Sequence, residues 1–370
     1  MHFSPTDDQV ALSGAVADLL ARECTPEAVR AAWDTTDGRV PGLWDHLVEM
    51  GVIGTCATEE HGGMGLSMLD LAGVLVEVGR AAAPEPVVDA AAVAVPVLES
   101  AGGSIADEWV PALVGGEASV AVGVSAAIPT AGGSRPVENA ATADVLLLSD
   151  GDVVHLVGAE AVTASPRTSV DGSRRVADVT WDPTPSTRIG GGETLQSARN
   201  LGVTATAAVL VGLGAAMLER TVEYAKERHQ FGRPIGSFQA VKHHLATAAL
   251  HLEYARPLVQ RAAYTLTRTS PDPGSGTDPD PEGGAAVDSA RDASMALAYA
   301  AEASHIAGRT ALQVHGAIGY TVEYDLHLWL KRAWALESVW GSAAFHREEV
   351  ARRVLDGPTD APDWTDREHA

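Results

Sequence analysis

Lys226-Glu227-Arg228-His229-Gln230-Phe231-Gly232-Arg233-Pro234-Ile235, running on through Ser237-Phe238-Gln239-Ala240-Val241, is the most informative segment of this chain. A second segment, Gln313-Val314-His315-Gly316-Ala317-Ile318-Gly319-Tyr320-Thr321, belongs with it. Read in isolation, Arg228 is a helix-end cation able to pair with Glu223 or Glu227. Gln313 to Gly319 alone reads as a plain helix C-cap, because glycine supplies the left-handed backbone that helix ends use. Neither piece by itself names a function.

Around these segments lie 370 residues, enough for two or three packed layers or subdomains. Hydrophobic residues make up 46% and aromatic residues only 5%, so Ala, Val and Leu must build the core. The net charge of −23 argues against a nucleic-acid surface and against an anionic membrane, both of which need clustered cations. Cys24 and Cys56 are the only cysteines, which suits a reducing cytoplasm better than a disulfide framework, and no metal-ligand spacing is present. The N-terminus, Met1 to Gln9, lacks a basic region followed by an apolar run, so no signal peptide is expected. No uninterrupted apolar segment is expected to reach the ~20 residues of a membrane span.

The first hundred residues read as helical. Thr6 with Asp7, Asp8 and Gln9 forms an N-cap and acidic first turn, and Val10, Leu12, Val16, Leu19 and Leu20 then keep helical spacing. Leu43 to Val52 and Leu69 to Gly79 carry similar stripes. From Ala118 to Ile189 short β-prone runs appear at Ser119–Val124, Val145–Leu148, Val153–Val157 and Val176–Trp181, which predicts a small sandwich or barrel. Long helices return over Val203–Arg228, Ser237–Arg268 and Ala285–Gln313, with Gly212 and Gly214 allowing close helix packing. Ser270–Gly284 and Gly357–Ala370 are too polar and Pro/Gly-rich to join a core.

The arginine-aromatic-glycine segment and the Gln-x-x-Gly-x-x-Gly segment together resemble the two C-terminal fingerprints of the acyl-CoA dehydrogenase family. Glu59-Glu60-His61-Gly62-Gly63-Met64-Gly65 resembles a further segment of that family. The resemblance implies an α+β fold: a helical domain over residues 1–117, a middle β-sandwich or barrel over 118–190, a C-terminal four-helix bundle over 191–356 and a polar tail over 357–370.

It also implies FAD. Arg228 matches the arginine that pairs with the FAD pyrophosphate, a task for a planar multi-donor cation. Gln230 lies in the same segment, Phe231 and Phe238 match positions that pack near adenine, and Gln239 and Gln313 match amide contacts. Gly316 and Gly319 match the turn that lets backbone approach phosphate, with Ala317 standing where many members have glycine. In the family this arm serves FAD held mainly by a neighbouring subunit.

Family dehydrogenation needs a carboxylate to remove the α-proton of an acyl-CoA, whose carbonyl is polarised by hydrogen bonds. The expected glutamate falls on Trp340, followed by Gly341 and Ser342. Some members carry the base on an earlier helix, where this chain has Leu201-Gly202-Val203-Thr204. Glu323 and Glu337 are the nearby carboxylates, with ion-pair or surface roles the better expectation for both. The flavin-facing strand and loop of active members have no counterpart in Val122–Gly133, where Ser125 replaces one hydroxyl at most, and no tryptophan precedes Trp181 in this part of the chain. His243, His244 and His315 are expected to pack rather than to touch dinucleotide.

A kept FAD arm without a carboxylate resembles the partner, β-type subunit of actinobacterial α2β2 acyl-CoA dehydrogenases, and Glu323–Ala333 and Trp340-Gly341 resemble the same subgroup. The implied substrate is a bulky acyl-CoA, with a steroid or polycyclic side chain. Two other readings stand beside it: a self-sufficient homomeric dehydrogenase with a relocated base, and a flavin-free scaffold subunit.

Overall fold

A computed structural model describes residues 4–124, 135–269 and 288–355. The polar segment Ser270–Gly284, the tail from Gly357 and all of Ser125–Gly133 lie outside the described residues. The N-terminal unit contains α1 (Asp7–Glu23), α2 (Pro26–Ala32), α3 (Leu43–Glu49) and α4 (Met68–Arg80). A π-helical turn, Val88–Ala94, then runs into α5 (Val95–Ala101) and is followed by α6 (Gly103–Val114). The start of α1 is closed by a reciprocal box: Thr6 Oγ1 accepts the Gln9 N–H while the Gln9 side chain accepts the Thr6 N–H.

The middle unit is a two-sheet sandwich. Strands β1 (Val120–Gly123), β3 (Val145–Asp150), β4 (Val153–Gly158) and β7 (Arg188–Gly190) form one sheet in the order β1-β3-β4-β7. The other sheet is β2 (Arg135–Glu138), β6 (Val176–Trp181) and β5 (Val162–Arg167), in the order β2-β6-β5. Alternation along β3 explains why it reads as a continuous apolar run: Leu146 and Leu148 face the second sheet, whereas Leu147 joins the helical core. Strands β2, β5 and β7 lie outside the β-prone runs expected above. Their segments carry Pro136, Pro166 and charged residues and bury at most one face, so no apolar alternation marks them.

The C-terminal unit is built on α7 (Gly192–Glu227), followed by a two-stranded hairpin of β8 (His229–Gln230) and β9 (Arg233–Pro234). Helices α8 (Gln239–Thr269), α9 (Ser289–His315), α10 (Leu326–Leu336) and α11 (Ala343–Leu355) complete it. Close packing at Gly212 is real: a Cβ there would stand 2.0 Å from the Val76 carbonyl oxygen of α4. Gly214 plays the same part toward Leu252, at 2.6 Å. One expectation is corrected here. Within α7 the run from Leu201 to Leu218 carries no charge, and the helix is long and apolar enough to cross a membrane. Its apolar surface is instead consumed by α4, α8 and α9, and 94% of its most apolar window is buried in the protein.

Candidate functional site

Arg228 caps the C-terminus of α7, with its backbone N–H on the Tyr224 carbonyl at 2.8 Å. The chain then reverses through Phe231 and Gly232, both at positive φ (54° and 77°), which is the left-handed pair that a tight two-residue hairpin requires. Glycine meets this demand freely, whereas Phe231 adopts it against steric cost. Despite that, Phe231 is 91% exposed, and its ring meets the Phe238 ring edge-on with centroids 6.1 Å apart. The Arg233 guanidinium covers Phe238 at 4.2 Å. The Phe231 ring is thus presented to solvent at the tip of the hairpin.

The second motif lies next to the first. Tyr224, one turn before Arg228, stacks on the His315 ring at 4.3 Å, and Tyr324 closes on the same imidazole. The Ala311 carbonyl can only accept, so His315 Nδ1 carries the proton at 2.8 Å and Nε2 accepts from the Tyr324 hydroxyl at 3.0 Å. Burial holds the His315 pKa below the usual imidazole value, consistent with this neutral form. His315 therefore fastens the Gln313–Gly319 turn to the end of α7, a role the sequence reading placed no higher than general packing.

Around that fastening the side chains of Arg228, Gln230, Gln239 and Gln313 are exposed, as is Ala317. Among the described residues none of these four polar side chains has a hydrogen-bond or ion-pair partner; Glu223 pairs with Lys226 instead. Gly316 turns with φ 63°, and Gly319 is buried against His315. Uncommitted donors around a fixed turn suit an external phosphate and amide-bearing ligand, so the arm fits a dinucleotide. His243 and His244 are exposed on α8 rather than packed within the chain.

The position where the resemblance expects the base is different in kind. Trp340 follows α10 and is only 5% exposed. A Cβ at Gly202 would meet the indole at 2.1 Å from Cζ2, so glycine alone admits the ring. His346, 2% exposed, locks the turn. Its Nε2 donates to the Trp340 carbonyl at 3.2 Å, which leaves Nδ1 to accept from Ser294 Oγ at 3.1 Å. Neither Trp340 nor the Leu201–Thr204 segment offers a proton acceptor at neutral pH. Glu337 faces His305 at 3.4 Å and burial raises its pKa, while Glu323 is exposed with its pKa lowered by local hydrogen bonds.

With this geometry in view, two family models match the chain: the acyl-CoA dehydrogenase N-terminal domain over residues 6–117 and the C-terminal domain over residues 190–355. The chain belongs to the acyl-CoA dehydrogenase family. This is a family of FAD-dependent oxidoreductases. The acyl-CoA dehydrogenase IpdE2 of Mycolicibacterium smegmatis is 32% identical over 348 residues, covering 94% of this chain and 98% of that protein. IpdE2 of Mycobacterium tuberculosis is 32% identical over 366 residues, covering 97% and 100%. Among solved structures, the ChsE4–ChsE5 complex from Mycobacterium tuberculosis is similar with a TM-score of 0.86 and 25% identity, covering 97% of this chain and 100% of the matched one.

One group that the sequence reading missed is Asp89. It sits in the π-helical turn and lines a cavity of about 170 Å³ with Glu138, Arg174 and Trp340. Its only sequence signal is an acid within the apolar run Pro86 to Leu98.

Proposed function

We propose that this chain is the non-catalytic, β-type subunit of an α2β2 acyl-CoA dehydrogenase, completing an FAD site whose base and ring pocket a homologous partner supplies. The observation that carries the reading is the pairing of an uncommitted, exposed arm with a catalytic position filled by buried tryptophan. Arg228, Gln230, Phe231, Phe238, Gln239, Gln313, Gly316, Ala317 and Gly319 are proposed to hold the dinucleotide, FAD supplying the hydride acceptor when bound. The ChsE4–ChsE5 neighbour is itself a complex of two named chains, which favours a heteromeric partner here. The substrate proposed is a bulky acyl-CoA with a steroid or polycyclic side chain, and the setting proposed is the cytoplasm, in keeping with the free thiols of Cys24 and Cys56.

The test is to purify the chain alone and with a co-expressed homologous subunit, recording the flavin spectrum and the FAD-to-chain ratio of each. The reading expects no FAD alone and about one per pair in the complex, falling in the Arg228→Ala complex. One FAD per lone chain would establish the self-sufficient alternative. Absence of FAD from the complex too would leave the flavin-free scaffold.

A further inference from the structure

Helix α8 carries two patterns, one on each side. Ala248, Leu252, Ala255 and Val259 are buried, and the helix packs there on α7 and α9. Ala240, His243, Thr247, Leu250 and Tyr254 are exposed instead, at alternating spacings of three and four residues. That spacing sets all five on one stripe about 21 Å long, the pattern by which one helix lies along another. Leu250 and Tyr254 are 52% and 58% exposed, so the stripe adds little to the chain's own core. Among the described residues nothing covers it.

Charge and shape select what does. The chain has a net charge of −23, so two copies repel one another over most of their surface. Helix α8 departs from that balance: Lys242, Arg256, Arg261 and Arg268 lie on it, and Glu253 is its only acid. The stripe is also self-complementary about Thr247. Ala240 lies seven residues before Thr247 and Tyr254 seven after, so a two-fold axis there sets the smallest side chain of the stripe against the largest. Lys242 and Glu253 lie five before and six after, both exposed and on the same flank of the helix. An antiparallel pair brings like flanks together, which places Lys242 of each copy beside Glu253 of the other. A parallel pair would turn that flank toward the one bearing His244 and His251. Glu253 is free to serve both contacts, since its ion pair with Arg256 of the same helix is 3.3 Å long and its side chain is largely exposed.

We propose that α8 is a contact between two copies of this chain, paired antiparallel about a two-fold axis at Thr247. The occupant is the same chain and not the homologous catalytic subunit, and the inference stands whether or not the arm holds FAD. The test takes the full-length chain alone and reads its mass by size-exclusion chromatography with light scattering. A dimer, twice 38.3 kDa, is expected. Leu250→Glu should give a monomer with an unchanged circular dichroism spectrum. Lys242→Glu should weaken the dimer about 10-fold, because the axis repeats the ion pair. Combining it with Glu253→Lys should restore the parent affinity. On oxidation Thr247→Cys should form a disulfide-linked dimer and Ala240→Cys alone should not, since only a residue at the axis meets its own copy. The oxidised parent, which carries Cys24 and Cys56, is the control. A monomeric parent, a dimeric Leu250→Glu, a charge swap that restores nothing, failure of Thr247→Cys to cross-link, or cross-linking through Ala240→Cys would each overturn the proposal.

Discussion

The indole of Trp340 rests on the bare backbone of Gly202, so closely that a methyl group there would stand 2.1 Å from the ring. These are the two places where the resemblance expects a catalytic carboxylate, one after α10 and one early in α7. Each is occupied by a residue that cannot take a proton, and each is shaped to the other. The tryptophan is therefore a packed replacement and not a vacancy.

Gly202→Ala should destabilise the chain in spite of alanine's higher helix propensity, worth up to ~1 kcal/mol. Overpacking against a large buried ring costs about 1–3 kcal/mol. Trp340→Ala should cost about 3–5 kcal/mol through its cavity. The double variant should be less destabilised than the two single effects summed, because the methyl then has room. Urea denaturation of the four proteins measures the coupling, and strict additivity would show that the two residues do not meet.

Phe231→Gly should leave thermal stability unchanged or slightly raised, since it removes a left-handed phenylalanine costing roughly 1–2 kcal/mol and loses almost no internal packing. The same change should lower the FAD-to-chain ratio of the assembled complex. A fall in melting temperature of the lone chain would mean that Phe231 serves the chain's own core.

Arg332 and Asp171 form a buried pair at 3.1 Å that ties α10 to the loop before β6. Arg332→Met should cost about 3–5 kcal/mol by stranding the Asp171 charge. Adding Asp171→Asn should recover a large part of that loss, as judged by chemical denaturation. Failure to recover would assign the cost to Arg332 packing alone.

Glu85 accepts the Val40 N–H at 3.0 Å through one carboxyl oxygen, while the other is buried without a hydrogen-bond partner among the described residues. Burial pushes this group up to about 7. A folded-state pKa above the unfolded value gives stability that is complete below the unfolded pKa, near 4.5, and is lost as pH rises through about 7. Glu85→Gln should accordingly raise the melting temperature relative to the parent more at pH 8 than at pH 5. A difference that is constant with pH would show that Glu85 stays in one protonation state.

Much of this protein was legible in its sequence because the signals are local. Thr6 and Gln9 sit three residues apart and cap α1 reciprocally, and the apolar spacing of Val203–Arg228 announces a helix, although not that its whole circumference is buried. The arm was legible through the resemblance of two contiguous segments to a family's fingerprints, while the left-handed turn at Phe231-Gly232 came from the structure. The edge strands β2 and β5 were silent, since strands that bury one face among prolines and charges leave no period to read.

What only the tertiary structure decided depends on residues distant in the chain. His315 against Tyr224 brings the two motifs to one place, and Trp340 packs against Gly202 where the resemblance expects a base. Asp89, an acid in an apolar run, comes to line a cavity with Arg174 and Trp340 only in the packed fold. A sequence determines which faces are apolar and where the backbone can turn. Desolvation and the pairing of buried polar groups depend on which elements finally meet, so the chemistry of this site belongs to the packed fold.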